Sequence, residues 1–169
     1  MNPGRDRKGA SSKLANASGS NSVFIRHAIP QDLLNLLALE NECFTEDKLS
    51  QRNFRDLLTK KSVAILIAEI NQNLIGCAVV FFRKNSQKAR LYSLAVSPSF
   101  RHHGIAKKLS DEIEKIARDR HCTSLILEVR PDNLSAIAFY EKQNYEIFGT
   151  YIKFYEDGAD ALRMHKDLS

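Results

Sequence analysis

The chain changes its hydrophobic period as it runs. "SVFIRHA" (Ser22 to Ala28) alternates apolar and polar residues as a strand does, and "PQDLLNLLALENECF" then spaces Leu33, Leu36 and Leu37, followed by Glu40, as a helix entered through Pro30. "LSQRNFRDLLTKK" predicts a second helix capped by Ser50, with Phe54, Leu57 and Leu58 as its buried face. Two apolar runs follow, "VAILIAEI" and "LIGCAVVFF", joined by the polar residues Asn71, Gln72 and Asn73, which is a hairpin signal. "ARLYSLAVSP" (Ala89 to Pro98) predicts a third strand that ends at a proline unable to continue a central ladder. Three strands in such short succession make a mainly antiparallel meander.

After Pro98 the period returns to that of a helix, with Ala106, Leu109, Ile113, Ile116 and Ala117 on one side and Lys107, Asp111, Glu114, Lys115 and Arg118 on the other. "SLILEVR" (Ser124 to Arg130) is a short buried strand, and a strand, helix, strand run of this length is a crossover between parallel neighbours. The segments Ala89 to Pro98 and Ser124 to Arg130 are therefore expected side by side and parallel. "NLSAIAFYEKQ" predicts a further helix with Ala136, Phe139, Tyr140 and Gln143 on one side, and "YEIFGTYIKFY" and "DALRMHKDL" predict two closing strands. The reading is an α/β (α+β) fold: a central mixed, mostly antiparallel sheet with flanking helices.

A length of 169 residues suits one domain. The formal charge is +5, and Arg5, Arg7, Lys8 and Lys13 against Asp6 put +3 of it in the first 22 residues. Those residues hold almost no large apolar side chain, so 1–22 reads as a disordered basic tail and 23–169 as the domain. The nearly balanced remainder argues against a nucleic-acid footprint, which needs a clustered basic face. No apolar run approaches the ~18 residues of a membrane span. Cys43, Cys77 and Cys122 are odd in number and form no CxxC pair, which fits unpaired thiols in a reducing cytoplasm, and His121 beside Cys122 is too little for a metal site.

The candidate chemistry lies in "SFRHHGIAKKL". A glycine leading into a helix gathers outward-pointing amides where an anion can bind. Neither a GxxxxGK[ST] loop nor a G-x-G-x-x-G fingerprint is present, and a plain helix start explains the turn equally well.

"LAVSPSFRHHGIAKKL" also resembles the acetyl-coenzyme A motif of the GNAT N-acetyltransferases, Q/R-x-x-G-x-G/A, through Arg101, Gly104 and Ala106. "LEVRPDNLSAIAFYEKQNY" resembles the second motif of that superfamily, and the order of elements from Val23 to Leu168 follows the family. The ending "FYEDGADALRMHKDL" is similar to the ribosomal-protein alanine acetyltransferase (RimI-like) branch. "CFTEDKLSQRNFRDLL" departs from that branch and looks more like GNAT domains found fused to a C39-type peptidase-like module.

The resemblance implies a GNAT fold in which the two parallel strands splay and the pantetheine arm of acetyl-coenzyme A lies in the gap, along Leu94, Ala95 and Val96. Backbone amides of Arg101, His102, His103, Gly104, Ile105 and Ala106 would hold the pyrophosphate, the histidine side chains being incidental. Glu128 is the implied general base and Tyr140 the implied general acid, with Tyr140 and Asn133 also touching the coenzyme. Leu125, Leu127 and Val129 alternate with Glu128, so its carboxylate should emerge beside the gap; the alternative is an edge glutamate paired with Arg130 or a helix lysine. For Tyr140 the alternative is core packing with Phe139, and for Asn133 it is helix capping alone. Asn144 stands where relatives commonly carry glycine, and asparagine tolerates the left-handed conformation. Tyr151, Phe154 and Tyr155 would wall an acceptor groove, with Glu156 or Asp157 meeting an ammonium. The implied function is transfer of acetyl to a primary amine, in first place a peptide or protein N-terminal α-amine, with no metal and no membrane. The alternatives are a small amine, a lysine side chain or an antibiotic as acceptor, or a non-enzymatic acyl-coenzyme A sensing module.

Overall fold

A computed structural model describes residues 22–169, so the tail expected at 1–22 lies outside the described residues except for Ser22. The elements are β1 (Phe24–His27), α1 (Leu33–Cys43), α2 (Gln51–Thr59), β2 (Val63–Ile70), β3 (Asn73–Phe82), β4 (Lys88–Val96), α3 (Ile105–Asp119), β5 (Ser124–Val129), α4 (Leu134–Lys142), β6 (Glu146–Tyr151) and β7 (Ala161–Asp167). The strands form one sheet in the order β1-β2-β3-β4-β5-β7-β6. Every neighbouring pair is antiparallel except β4 and β5, which run parallel across the α3 crossover, as the sequence predicts.

Local chemistry accounts for most of these elements. Ser50 caps α2 by accepting from the Asn53 amide at 3.1 Å, while its own amide donates to Asn53 Oδ1 at 3.0 Å. The β2–β3 hairpin turns on two residues rather than three. Asn71 and Gln72 both take left-handed backbone angles (φ 50° and 65°), the primed geometry that matches strand twist, and Asn73 already pairs with Ile70.

Helices cover both faces of the sheet. On one face α3 buries Ile105, Leu109, Ile113 and Ala117, and α4 adds Ala136, Ile137 and Tyr140. Gly76 of β3 lets α3 lie close: a Cβ there would stand 3.2 Å from the side chains of both Ile105 and Leu109. On the other face Leu36 and Leu39 of α1 and Phe54 of α2 pack against Ile65, Ile67, Cys77, Val79 and Ala95.

Three expectations need correction. Glu114, placed on the solvent side of α3 by spacing, is buried, because β7 beneath the helix brings Lys166 into an ion pair with it and Arg118 adds a second. On α4 the inward side is Ala136, Ile137 and Tyr140 rather than one through Phe139 and Gln143. The penultimate strand stops at Tyr151, since Lys153 turns left-handed (φ 51°) and its amide donates to Asp160 Oδ1 at 2.8 Å.

One ion pair fastens the edge strand to the start of α1. Arg26 donates from Nη1 and Nη2 to the two oxygens of buried Asp32 at 2.8 and 2.9 Å, and Asp32 also accepts from the Ile29 amide at 2.8 Å. The Arg26 guanidinium holds the Asp32 carboxyl below the usual carboxylate range. With the folded value depressed, its contribution to stability is complete above the unfolded value and is lost as pH falls through the folded one. Asp32→Asn should therefore cost about 1–2 kcal/mol in urea unfolding near neutral pH. The gap to the unsubstituted protein should close in acid, and an unchanged gap would assign the loss to packing instead.

Candidate active site

The site begins where β4 leaves β5. The parallel pairing covers only Lys88–Arg90 with Ser124–Ile126. Two residues later Tyr92 is bulged out of register with β3, which pairs Leu91 with Val80 and Ser93 with Val79. A bulge bends its strand and increases local twist. From Leu91 onward β4 therefore shows β5 an edge without a ladder, beside a cleft of about 420 Å³ that reaches Leu94, Glu128, Asn133 and Tyr140.

Beyond β4 the chain turns through Pro98–Phe100 into α3. His102 and Gly104 both take left-handed angles (φ 65° and 77°). Among the described residues, the amides of His102, His103, Gly104, Ile105 and Ala106 donate to no protein acceptor. Five free amides at the start of a fifteen-residue helix make a cradle for phosphate oxygens. The side chains of His102 and His103 are exposed and make no hydrogen bond, so the turn offers its backbone. Arg101 directs its Nε to the Val96 carbonyl at 3.1 Å, bracing the turn against the end of β4. Of the three β4 residues expected along the coenzyme arm, Leu94 lines the cleft, while Ala95 is buried toward α1 and Val96 is half-buried with its carbonyl already engaged by Arg101 and by the Cys43 thiol at 3.4 Å.

Glu128 lies on the face of β5 opposite Leu125, Leu127 and Val129, whose side chains join the α3 core. Its Oε2 accepts from Arg90 Nε at 2.9 Å, and its side chain is 9% exposed. The partner considered from sequence, Arg130, turns instead to Asp47 and Asp157. Tyr140 approaches from the other face. Its ring packs on Tyr145, 5.4 Å between centroids, and on Phe139 at 5.3 Å, and burial pushes its phenol well above the ordinary tyrosine range. A carboxylate from one face and a phenol from the other line a common cleft only because the strands between them have parted.

Asn133 caps α4, its Oδ1 accepting from the Ala136 amide at 3.2 Å, and also lines the cleft. Asn144 takes the left-handed angle expected of it (φ 67°). Phe154, Tyr155 and Glu156 line the cleft, whereas Tyr151 stacks on Phe154 outside it and Asp157 is bound by Arg130. Sequence reasoning missed Arg90, Tyr92, Glu46 and Asp47 as lining residues. Alternation along β4 puts Arg90 on one side of that strand, but nothing in the sequence states the register that sets it beside Glu128. Among the described residues no cluster of three His, Cys, Asp or Glu side chains could hold a metal, and no helix is long and apolar enough to cross a membrane.

An amide turn beyond the end of β4, together with an unladdered edge on that strand, suits a carrier that is anionic at one end and extended, with amides of its own, at the other. Coenzyme A is a carrier of that kind. Comparison with known proteins gives the family: the acetyltransferase (GNAT) family matches residues 31–145, and the chain belongs to it. The chain is 26% identical over 150 residues to the N-alpha-acetyltransferase daf-31 of Caenorhabditis elegans, covering 86% of this chain and 82% of that one. It is 37% identical over 81 residues to an acetyltransferase of Pectobacterium atrosepticum, a match that spans 48% of this chain and little more than half, 56%, of that protein. Its fold superposes with a TM-score of 0.73 on the ribosomal-protein-alanine N-acetyltransferase of Brucella melitensis, at 27% identity over 85% of this chain and 99% of that one. The protein is an acetyl-coenzyme A dependent N-acetyltransferase.

Gly104 offers a direct test of the cradle. A Cβ at this position meets nothing within 4 Å, so only the backbone angle resists a side chain. Gly104→Ala should cost about 1 kcal/mol of local conformational energy. Calorimetric affinity for coenzyme A should fall about fivefold to tenfold, and unaltered affinity would show that the left-handed turn is not part of the phosphate site.

Proposed function

We propose that the acceptor is the α-amine of a peptide or protein N-terminus, with Glu128 taking a proton from the incoming ammonium and Tyr140 returning one to the departing thiolate. The observation that carries this reading is the two-sided cleft: Tyr140 lines it from one face of the sheet and Glu128 from the other. The acceptor side is framed by Glu46 and Asp47 on one loop and by Phe154, Tyr155 and Glu156 on another. It is wide enough for a chain and acidic enough for an ammonium group. The names of the nematode and Brucella relatives, an N-alpha-acetyltransferase and a ribosomal-protein-alanine N-acetyltransferase, support the same acceptor.

When bound, acetyl-coenzyme A supplies the activated acyl carbon. Leu94 and its neighbours would hold the arm and the amides of residues 102–106 the phosphates. Arg90 occupies only Oε2 of Glu128, which leaves Oε1 to accept the proton directly or through a water. The half-buried phenol of Tyr140, its titration pushed upward by desolvation, keeps its own proton across the working pH range, so it is available as a donor when negative charge develops beside it. Residues 23–169 carry every part of this scheme. Three unpaired thiols support a reducing, cytoplasmic setting.

The test is thiol release from acetyl-coenzyme A with peptides bearing free α-amines, against the same peptides blocked at the N-terminus. Release with the free pool alone is expected, and equal signals would transfer the reading to lysines or small amines. Glu128→Gln should lower kcat about a hundredfold and Tyr140→Phe about tenfold, each with coenzyme affinity unchanged. Undiminished turnover would remove the residue from its role.

A further inference from the structure

Arg130 follows β5 and makes a set of contacts that the chemistry at Glu128 does not require. Its Nη1 donates to Asp157 at 2.8 Å and its Nη2 to Asp47 at 2.6 Å, with Glu46 at 3.7 Å, and its guanidinium lies 4.1 Å from the centroid of the Tyr155 ring. Asp47 belongs to the loop 44–50 between α1 and α2, while Tyr155 and Asp157 belong to the loop 152–160 between β6 and β7. Among the described residues, no hydrogen bond or ion pair joins these loops except through Arg130.

The loops hang from different halves of the sheet. One is tied through α1 and α2 to β2, β3 and β4; the other extends β6 and β7, which pair onward to β5. Between the halves the β4–β5 ladder ends at Arg90, so the separation that opens the coenzyme slot also removes the crosslink at this end of the sheet. The loops face each other across a second cavity of about 610 Å³, lined by Thr45, Glu46, Asp47, Lys48, Glu156 and Asp157. Four of those six side chains are carboxylates, and they repel one another unless a cation stands between them. A guanidinium can grip two carboxylates with a planar fork, which a lysine ammonium cannot do in the same geometry.

We propose that Arg130 is a positioning residue for the acceptor, joining the two loops into one wall across the parted strands and engaging Asp47 and Asp157, with Glu46 beside them, so that Glu156 is left to meet an incoming ammonium. The inference rests on the reading that the acceptor enters between these loops. The Arg130 guanidinium also holds the Asp157 carboxyl below the usual carboxylate range, so the clamp persists through mild acid.

Hydrogen exchange on the full chain tests the clamp without any acceptor. In Arg130→Met the amides of 44–50 and 152–160 should gain exchange together, and exchange rising in one loop only, or in neither, overturns the proposal. Asp157, whose side chain is 44% exposed, supplies a second variant should Arg130→Met not fold: Asp157→Asn should loosen the same two loops. With a free α-amine peptide, Arg130→Met should raise the acceptor KM about tenfold while kcat and coenzyme affinity stay within about threefold. Arg130→Lys should fall between. Asp157→Asn added to Arg130→Met should change KM little further, because both act on one clamp. A fall in kcat at constant KM, or full additivity, overturns the acceptor role. If the unsubstituted protein turns over no α-amine peptide, the acceptor reading fails on its own account, and hydrogen exchange still decides whether the clamp exists.

Discussion

The separation of β4 from β5 after the pairing of Arg90 with Ile126 is the constraint on which the rest of the site depends. A parallel pair in mid-sheet would ordinarily satisfy its backbone groups along its whole length. Here the bulge at Tyr92 keeps β4 in its ladder with β3 while turning it from β5, so on β4 the break frees one edge and not both. That edge supplies donors and acceptors for an extended ligand, and the gap beside it lets groups from both faces of the sheet reach one place. Glu128 and Tyr140 would otherwise stand on opposite sides of a closed wall.

Electrostatics around the cleft follow from the same opening. Arg90 comes from the strand that leaves and Glu128 from the strand that stays, so their ion pair spans the last point at which the two are joined. Further out, the loops bring several carboxylates close together with Arg130 between them. The coenzyme end works differently. The turn at 102–106 presents backbone amides rather than charged side chains, and a site of that kind depends on conformation more than on residue type. Histidines can therefore occupy positions 102 and 103 without being asked to titrate there.

Much of the architecture is legible in the sequence because it is local. Ser50 with Asn53, the spacing along α3, the asparagines at 71 and 144 and the crossover length between β4 and β5 each report a structure formed within a few residues or one helix. The expectations that moved did so through side-chain contacts that no hydrophobic period reports. Glu114 is buried because Lys166, fifty-two residues on, lies beneath it, and the strand expected to run through Tyr155 stops at Tyr151 because Asp160 captures the Lys153 amide.

The sequence by itself determined the order of elements, the parallel crossover, the helix-start turn and, through alternation along β5, the face on which Glu128 emerges. Tertiary structure alone decided what Glu128 touches, that Tyr140 lines the same cleft from the other face of the sheet, and that two distant loops close on Arg130. The physical reason is range. Period, capping and left-handed turns are written in neighbouring residues, whereas register, splay and ion-pair choice are fixed by segments 27 to 83 residues apart that meet only when the sheet has formed.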